Sequence, residues 1–228
     1  VIVCRVLRLA TGACGMKAPI GIFGGTFDPI HFGHLRTGFE LSQRLQLHEL
    51  RWIPSGRPGH RDAPLASPAM RLAMVRAAIE GQSGFVADDR EVKRERTTFT
   101  IDTLEELRGE FPEHPLCLIL GMDAFLGLPK WHRAAELLSL CHIVVAHRPG
   151  WSLPAVGPLA ELVATSSVSE VATLHAALSG RVYVHAVTQL EIASSELRAI
   201  LISGGDPRFL VPEPVRRIIL ETGCYARR

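Results

Sequence analysis

The sequence predicts a single three-layer α/β domain with a mainly parallel central sheet. Three observations carry that expectation. Short apolar runs alternate with stretches of helical spacing from Ile20 to His147. One run, LCLILG at 116–121, is almost continuously apolar and ends in glycine, as a strand covered on both faces should be. The chain has 228 residues, 47% hydrophobic and 21% charged, which suits one substantial core and an ordinary globular enzyme.

Each element follows in order. Residues 20–23 form a short buried strand that glycines end, and 35–45 have helical spacing. ELRWIP at 49–54 is the next strand, stopped by Pro54, and SGRPGHRDAP at 55–64 is a polar loop over a site. A helix is expected over 70–79, a short strand over 85–87 and the start of another helix over 102–108. After the central strand at 116–121, a helix over 133–139 leads to the strand HIVVAH at 142–147. The stretch from 150 to 180 is irregular and yields no clear elements. RVYVHAV at 181–187 is again a strand, 194–202 a helix, SGGDP a turn and PEPVRRIILE a terminal helix.

Composition narrows the function. A net charge of +2, without a concentrated Lys/Arg tract or an aromatic-basic platform, argues against a nucleic-acid partner. The five cysteines are scattered without a C-x-x-C pair, so neither a disulfide scaffold nor a structural zinc site is expected, and a reducing cytoplasm is the simplest home. VIVCRVLRLATGACG at 1–15 is too short to span a bilayer and a poor signal peptide; it is an N-terminal extension, with a core strand as the alternative, and 16–228 is the domain. No membrane partner is expected.

The chemistry centres on GGTFDPIHFGH at 24–34. Gly24 and Gly25 follow the first strand, where backbone N–H groups can approach a ligand at the C-terminal edge of an α/β sheet. The segment is neither a dinucleotide-binding glycine fingerprint nor a Walker A loop. His31 and His34 share a face at the entrance of a helix, a position that favours anions. Contact with phosphate is favoured; a place in the core and a metal site remain as alternatives, the latter poorly supplied with further ligands. Asp28 is read as ordering the turn.

GIFGGTFDPIHFGHL resembles the adenylyltransferases of the nucleotidyltransferase superfamily marked by H-x-G-H. It is similar in particular to the bacterial nicotinate-nucleotide adenylyltransferases. IPSGRPGHR, TTFTIDTLEELR, LILGMDAFLGLPKWH, HIVVAHRPG, EIASSELR and FLVPEPVRRIILETGCY agree with that family in order, so the resemblance spans about 19–225. It implies a Rossmann-like nucleotidyltransferase fold and the reaction of ATP with nicotinate mononucleotide, giving nicotinate adenine dinucleotide and pyrophosphate. Magnesium would be associated with the substrate, with no resident metal.

The resemblance also distributes roles. It implies His31, His34 and Arg198 as catalytic, with Gly24, Gly25, Thr26, Phe27, Gly121, Asp123, Ser194 and Ser195 completing an ATP site. Arg57, His60 and Arg61 would meet phosphates from the polar loop, although a glycine replaces a family proline at 59. Thr98, Phe99, Thr100 and Trp131 would hold the pyridine nucleotide, with Arg96 and Phe99 standing where the family commonly has Gly and Tyr. Each has a plainer reading: a solvated basic loop, helix caps at 98–100 and 194–195, a turn at Asp123 and a core tryptophan at 131. Nicotinamide mononucleotide or pantetheine phosphate as acceptor, and a regulatory nucleotide-binding domain, are the alternative functions; a homo-oligomer is left open.

Overall fold

The computed structural model describes residues 16–57, 63–147 and 154–226. The extension at 1–15 lies outside them, as do His60 and Arg61. Strand β1 (Ile20–Gly25) leads through a turn to α1 (Phe32–Arg44). Then come β2 (Glu49–Pro54), α2 (Pro68–Ile79), β3 (Phe85–Ala87), α3 (Arg90–Lys93) and α4 (Thr100–Glu110). The second half holds β4 (Leu116–Gly121), α5 (Met122–Leu126), α6 (Leu137–Leu140) and β5 (His142–His147). It continues through α7 (Pro158–Ser166), β6 (Ser167–Val168), α8 (Val171–His175), β7 (Val182–Ala186), α9 (Ser194–Ile202) and α10 (Glu213–Thr222).

The seven strands form one sheet in the order β3-β2-β1-β4-β5-β7-β6, and every paired neighbour is parallel. Chain direction across the sheet reverses between β1 and β4, so the C-terminal ends of these two strands flank the crevice where open α/β sheets bind ligands.

The period of two in the strands explains the layers. Cys117, Ile119, Val144 and Ala146 pack on one side with Leu41 of α1, Val75 of α2, Leu197 of α9 and Val215 of α10. Leu118, Leu120, Ile143 and Val145 face the other side, toward Leu104 of α4, Phe125 of α5, Leu137 of α6 and Leu159 of α7. Because both faces are covered, the central strands show no polar alternation, which is why their sequences are continuous apolar runs.

Helix ends follow local chemistry. Ser67 caps α2, its hydroxyl accepting the Met70 N–H at 3.2 Å, and Pro68 occupies the first turn. Gly223 ends α10 with a left-handed φ of 59°. The helix expected over 133–139 is instead a 3-10 turn, Ala134–Glu136, running into α6; Arg133, left-handed at φ 54°, prevents an earlier helical start. The irregular stretch resolves into α7, the two-residue edge strand β6 and α8.

Candidate active site

A cleft of about 1230 Å³ opens over the C-terminal ends of β1 and β4. The β1–α1 turn forms its floor. Phe27 takes a left-handed φ of 50° and the Asp28–Pro29 peptide is cis, which turns the chain sharply before α1. Phe27 itself is buried, and its ring meets His34 edge-on at 5.1 Å between centroids.

His31 stands at the N-terminal boundary of α1 and His34 in its first turn, with ring centroids 3.7 Å apart. Both line the cleft. The His31 backbone N–H donates to His34 Nδ1 at 3.3 Å. In its neutral form His34 therefore carries its proton on Nε2. Gly33 makes the pairing possible: a Cβ there would stand 3.0 Å from His31 Nδ1 and 3.3 Å from the Leu190 carbonyl oxygen. Gly24 has only open space where a side chain would be, whereas a Cβ on Gly25 would press on the Phe27 ring at 3.0 Å.

The opposite wall is α9. Ser194, Ser195 and Arg198 line the cleft, so the free N–H groups of this helix start face the same space as the histidines. The Ser194 hydroxyl donates to the Pro29 carbonyl at 3.0 Å, and Arg198 Nη1 donates to the Asp28 carbonyl at 2.8 Å. Gly121 and the exposed Asp123 complete the rim at the start of α5.

A second, narrower cavity of about 150 Å³ adjoins the first. Phe23, Gly24, Gly25, Thr26, Gly121 and Ala124 line both. Its far wall holds Thr98, Thr100 and Trp131, bringing the start of α4 to a flat aromatic surface. Phe99 and Arg57 are placed elsewhere. The Phe99 ring packs on His132 at 4.4 Å, and Arg57 Nη1 donates to the Glu95 carbonyl at 2.8 Å. Neither lines either of these two cavities. The exposed Arg96 pairs with Asp102 at 2.6 Å.

Three further residues shape the site. Arg71, fully buried, donates from Nη1 to the Thr26 carbonyl at 2.7 Å and from Nη2 to the Gly56 carbonyl at 3.1 Å. It thereby binds the β1–α1 turn to the loop after β2. Burial lowers its pKa, while Asp28, Tyr225 and Glu91 nearby oppose the shift. Its signal in the sequence is a charge on the face shared with Met74 and Val75.

Glu91, half-buried in the wall of the narrow cavity, accepts from the Thr103 hydroxyl at 2.8 Å. Burial raises its pKa, against the pull of Thr103 and Arg94. Asp28 orders the turn, as the sequence implied, through bonds to the Leu65 and Ala66 N–H groups at 2.9 and 3.1 Å.

Comparison with known proteins places this geometry. The cytidylyltransferase-like family model matches residues 22–200. A "Probable nicotinate-nucleotide adenylyltransferase" of Aeromonas hydrophila subsp. hydrophila is 48% identical over 210 residues, 92% of this chain and 98% of the relative. One of Pseudomonas fluorescens is 46% identical over 211 residues, with the same coverage. Among solved structures, a nicotinic acid mononucleotide adenylyltransferase of Plasmodium falciparum complexed with NaAD superposes with a TM-score of 0.72 at 18% identity. It covers 92% of this chain and 98% of that one. At that identity the likeness speaks for the fold.

Proposed function

The chain belongs to the cytidylyltransferase-like family and, within it, to the nicotinate-nucleotide adenylyltransferases, and on that footing we propose how its site transfers adenylyl from ATP to nicotinate mononucleotide. The observation that carries the reading is the shared lip of the two cavities. One cavity is wide and polar and suits a triphosphate; the other is narrow and holds an aromatic surface. They meet where Gly24, Gly25 and Gly121 stand.

The 5′-phosphate oxygen of the mononucleotide attacks the α-phosphorus of ATP. A P–O bond forms there as the bond to the β-phosphate oxygen breaks, and pyrophosphate leaves with that electron pair. The attacking phosphate is already anionic near neutral pH, its second pKa being about 6, so no strong base is needed. Bringing two anions together and stabilising charge on the transferring oxygens is the larger task. His34 Nε2–H and Arg198 face the α-phosphate, His31 and the start of α9 the rest of the chain of phosphates. His60 and Arg61 are assigned to the phosphates from the polar loop. Ribose hydroxyls bond to Asp123.

Among the described residues no group of three or more His, Cys, Asp or Glu is gathered to hold a metal. We assign magnesium to the substrate, carried on the triphosphate by phosphate oxygens and water. Trp131 stacks on the pyridine ring, and the N–H groups at the start of α4 receive its carboxylate.

Incubation with ATP, magnesium and nicotinate mononucleotide tests the reading. Pyrophosphate and dinucleotide are expected in equal amounts. Binding of both substrates without either product would leave only a nucleotide-binding domain.

A further inference from the structure

The Asp28 carboxylate lies beneath the phosphate cleft and is 3% exposed. Three donors from two distant segments surround it. Oδ2 accepts the Leu65 N–H at 2.9 Å, and Oδ1 accepts the Ala66 N–H at 3.1 Å and the Tyr225 hydroxyl at 2.7 Å. The tyrosine comes from the segment after α10, 197 residues away in the chain, and is 2% exposed. It does not line the cleft. Burial first, and the Asp28 charge with it, push its hydroxyl well above the ordinary tyrosine pKa, so it remains a proton donor.

Arg198 sits on the other side of Asp28. Its Nη1 donates to the Asp28 carbonyl at 2.8 Å and stands 3.9 Å from Oδ2. That spacing is longer than a hydrogen bond. A carboxylate held by three donors cannot turn to close the gap, so the guanidinium keeps its charge toward the cleft. Without the tyrosine hydroxyl, Oδ1 loses one of its two donors and only the Leu65 and Ala66 N–H groups hold the carboxylate, which leaves it freer to shift Oδ2 the short distance to Arg198. The arginine would then be drawn down into an ion pair and away from the phosphates.

We propose that Tyr225 is a positioning residue for adenylyl transfer, fixing Asp28 so that Arg198 is presented to the transferring phosphate instead of being paired beneath it. The inference rests on the reading of the site given above.

Wild type, Tyr225→Phe, Arg198→Ala and the double variant are assayed for pyrophosphate release from ATP, magnesium and nicotinate mononucleotide, with thermal unfolding followed in parallel. Tyr225→Phe is expected to lower kcat about tenfold while KM for each substrate stays within about twofold. On the Arg198→Ala background it is expected to change kcat by less than about twofold, because its partner is already gone. Asp28→Asn, which keeps the size of the turn, is taken through the same cycle with the same non-additivity expected. An unchanged kcat for Tyr225→Phe overturns the proposal. So does a full loss that repeats on the Arg198→Ala background, which would mark a general structural effect. A wild-type chain that releases no pyrophosphate would instead sink the adenylyl-transfer reading itself.

Discussion

The wide cleft and the narrow cavity share a lip but are built differently. The wide cleft is made of chain turns and helix starts: the β1–α1 turn, the first turn of α1 and the start of α9. Buried ions under it hold these pieces together, Arg71 through the Thr26 and Gly56 carbonyls and Asp28 through the Leu65 and Ala66 N–H groups. The narrow cavity is walled by side chains, with Trp131, Thr98 and Leu118 around it. Backbone N–H groups and imidazoles fit any phosphate chain, whereas a flat indole beside a helix start suits a planar ring that carries an anionic group. On the proposed reading, the difference teaches that rate and choice of acceptor reside in separate walls. Each can be disturbed without the other.

The largest effect is expected from the wide cleft. His34→Ala should lower kcat by about 10²–10³, the cost of losing one donor aimed at developing negative charge. ATP binding should change far less, since a contact made mainly in the transition state lowers kcat and kcat/KM together. Steady-state kinetics with both substrates varied checks this, and a near-normal kcat at saturation would remove His34 from that role.

The narrow cavity should govern selectivity. Nicotinate mononucleotide is expected to be preferred over nicotinamide mononucleotide by about tenfold to a hundredfold. An amide leaves one polar group badly matched against the N–H groups at the start of α4, at roughly 1–3 kcal/mol. Trp131→Ala should raise KM for the mononucleotide and shrink that preference by loosening the ring, with ATP KM nearly unchanged. Competition between the two mononucleotides, analysed by product, reads out the ratio.

The smallest effect concerns stability. Burial raises the Glu91 pKa in the folded chain, so its ionised form is the disfavoured one. The stability linked to its protonated form is complete below the unfolded pKa and is lost as pH rises through the higher folded value. Glu91→Gln does not titrate, so its Tm should gain on wild type as pH increases across that window. A shift of a few degrees is the scale to look for, since about 1 kcal/mol moves Tm by about 2–4 °C at this chain length. Parallel Tm curves across pH would show that Glu91 does not titrate there.

Much of this architecture was legible in the sequence because it rests on local patterns. The strands at the centre of the sheet are continuous apolar runs, and the turns at Gly24-Gly25 and Gly121 stand where such runs stop. The α7–β6–α8 stretch was not legible, because a two-residue strand and a five-residue helix contain too few residues to display a period. Arg57 shows a different limit. A basic residue in a polar loop suggests phosphate, but sequence says nothing of the direction in which the side chain leaves the loop, and in this structure Arg57 Nη1 donates to the Glu95 carbonyl. Arg71 lies on an otherwise apolar helix face, where a charge is easily taken for the solvent side. The bond from Tyr225 to Asp28 links positions that only the completed fold brings together.

The separation of rate from choice is tested most directly by one ratio measured in one variant. In His34→Ala, kcat/KM should fall by about 10²–10³ for both mononucleotides, as expected for a donor to the common phosphate. The ratio between acid and amide should stay within about twofold of wild type, since distant and independent sites act additively. A ratio that collapses toward one in His34→Ala would contradict the account, because it would place the choice of acceptor at the histidine turn and not at Trp131 and the start of α4.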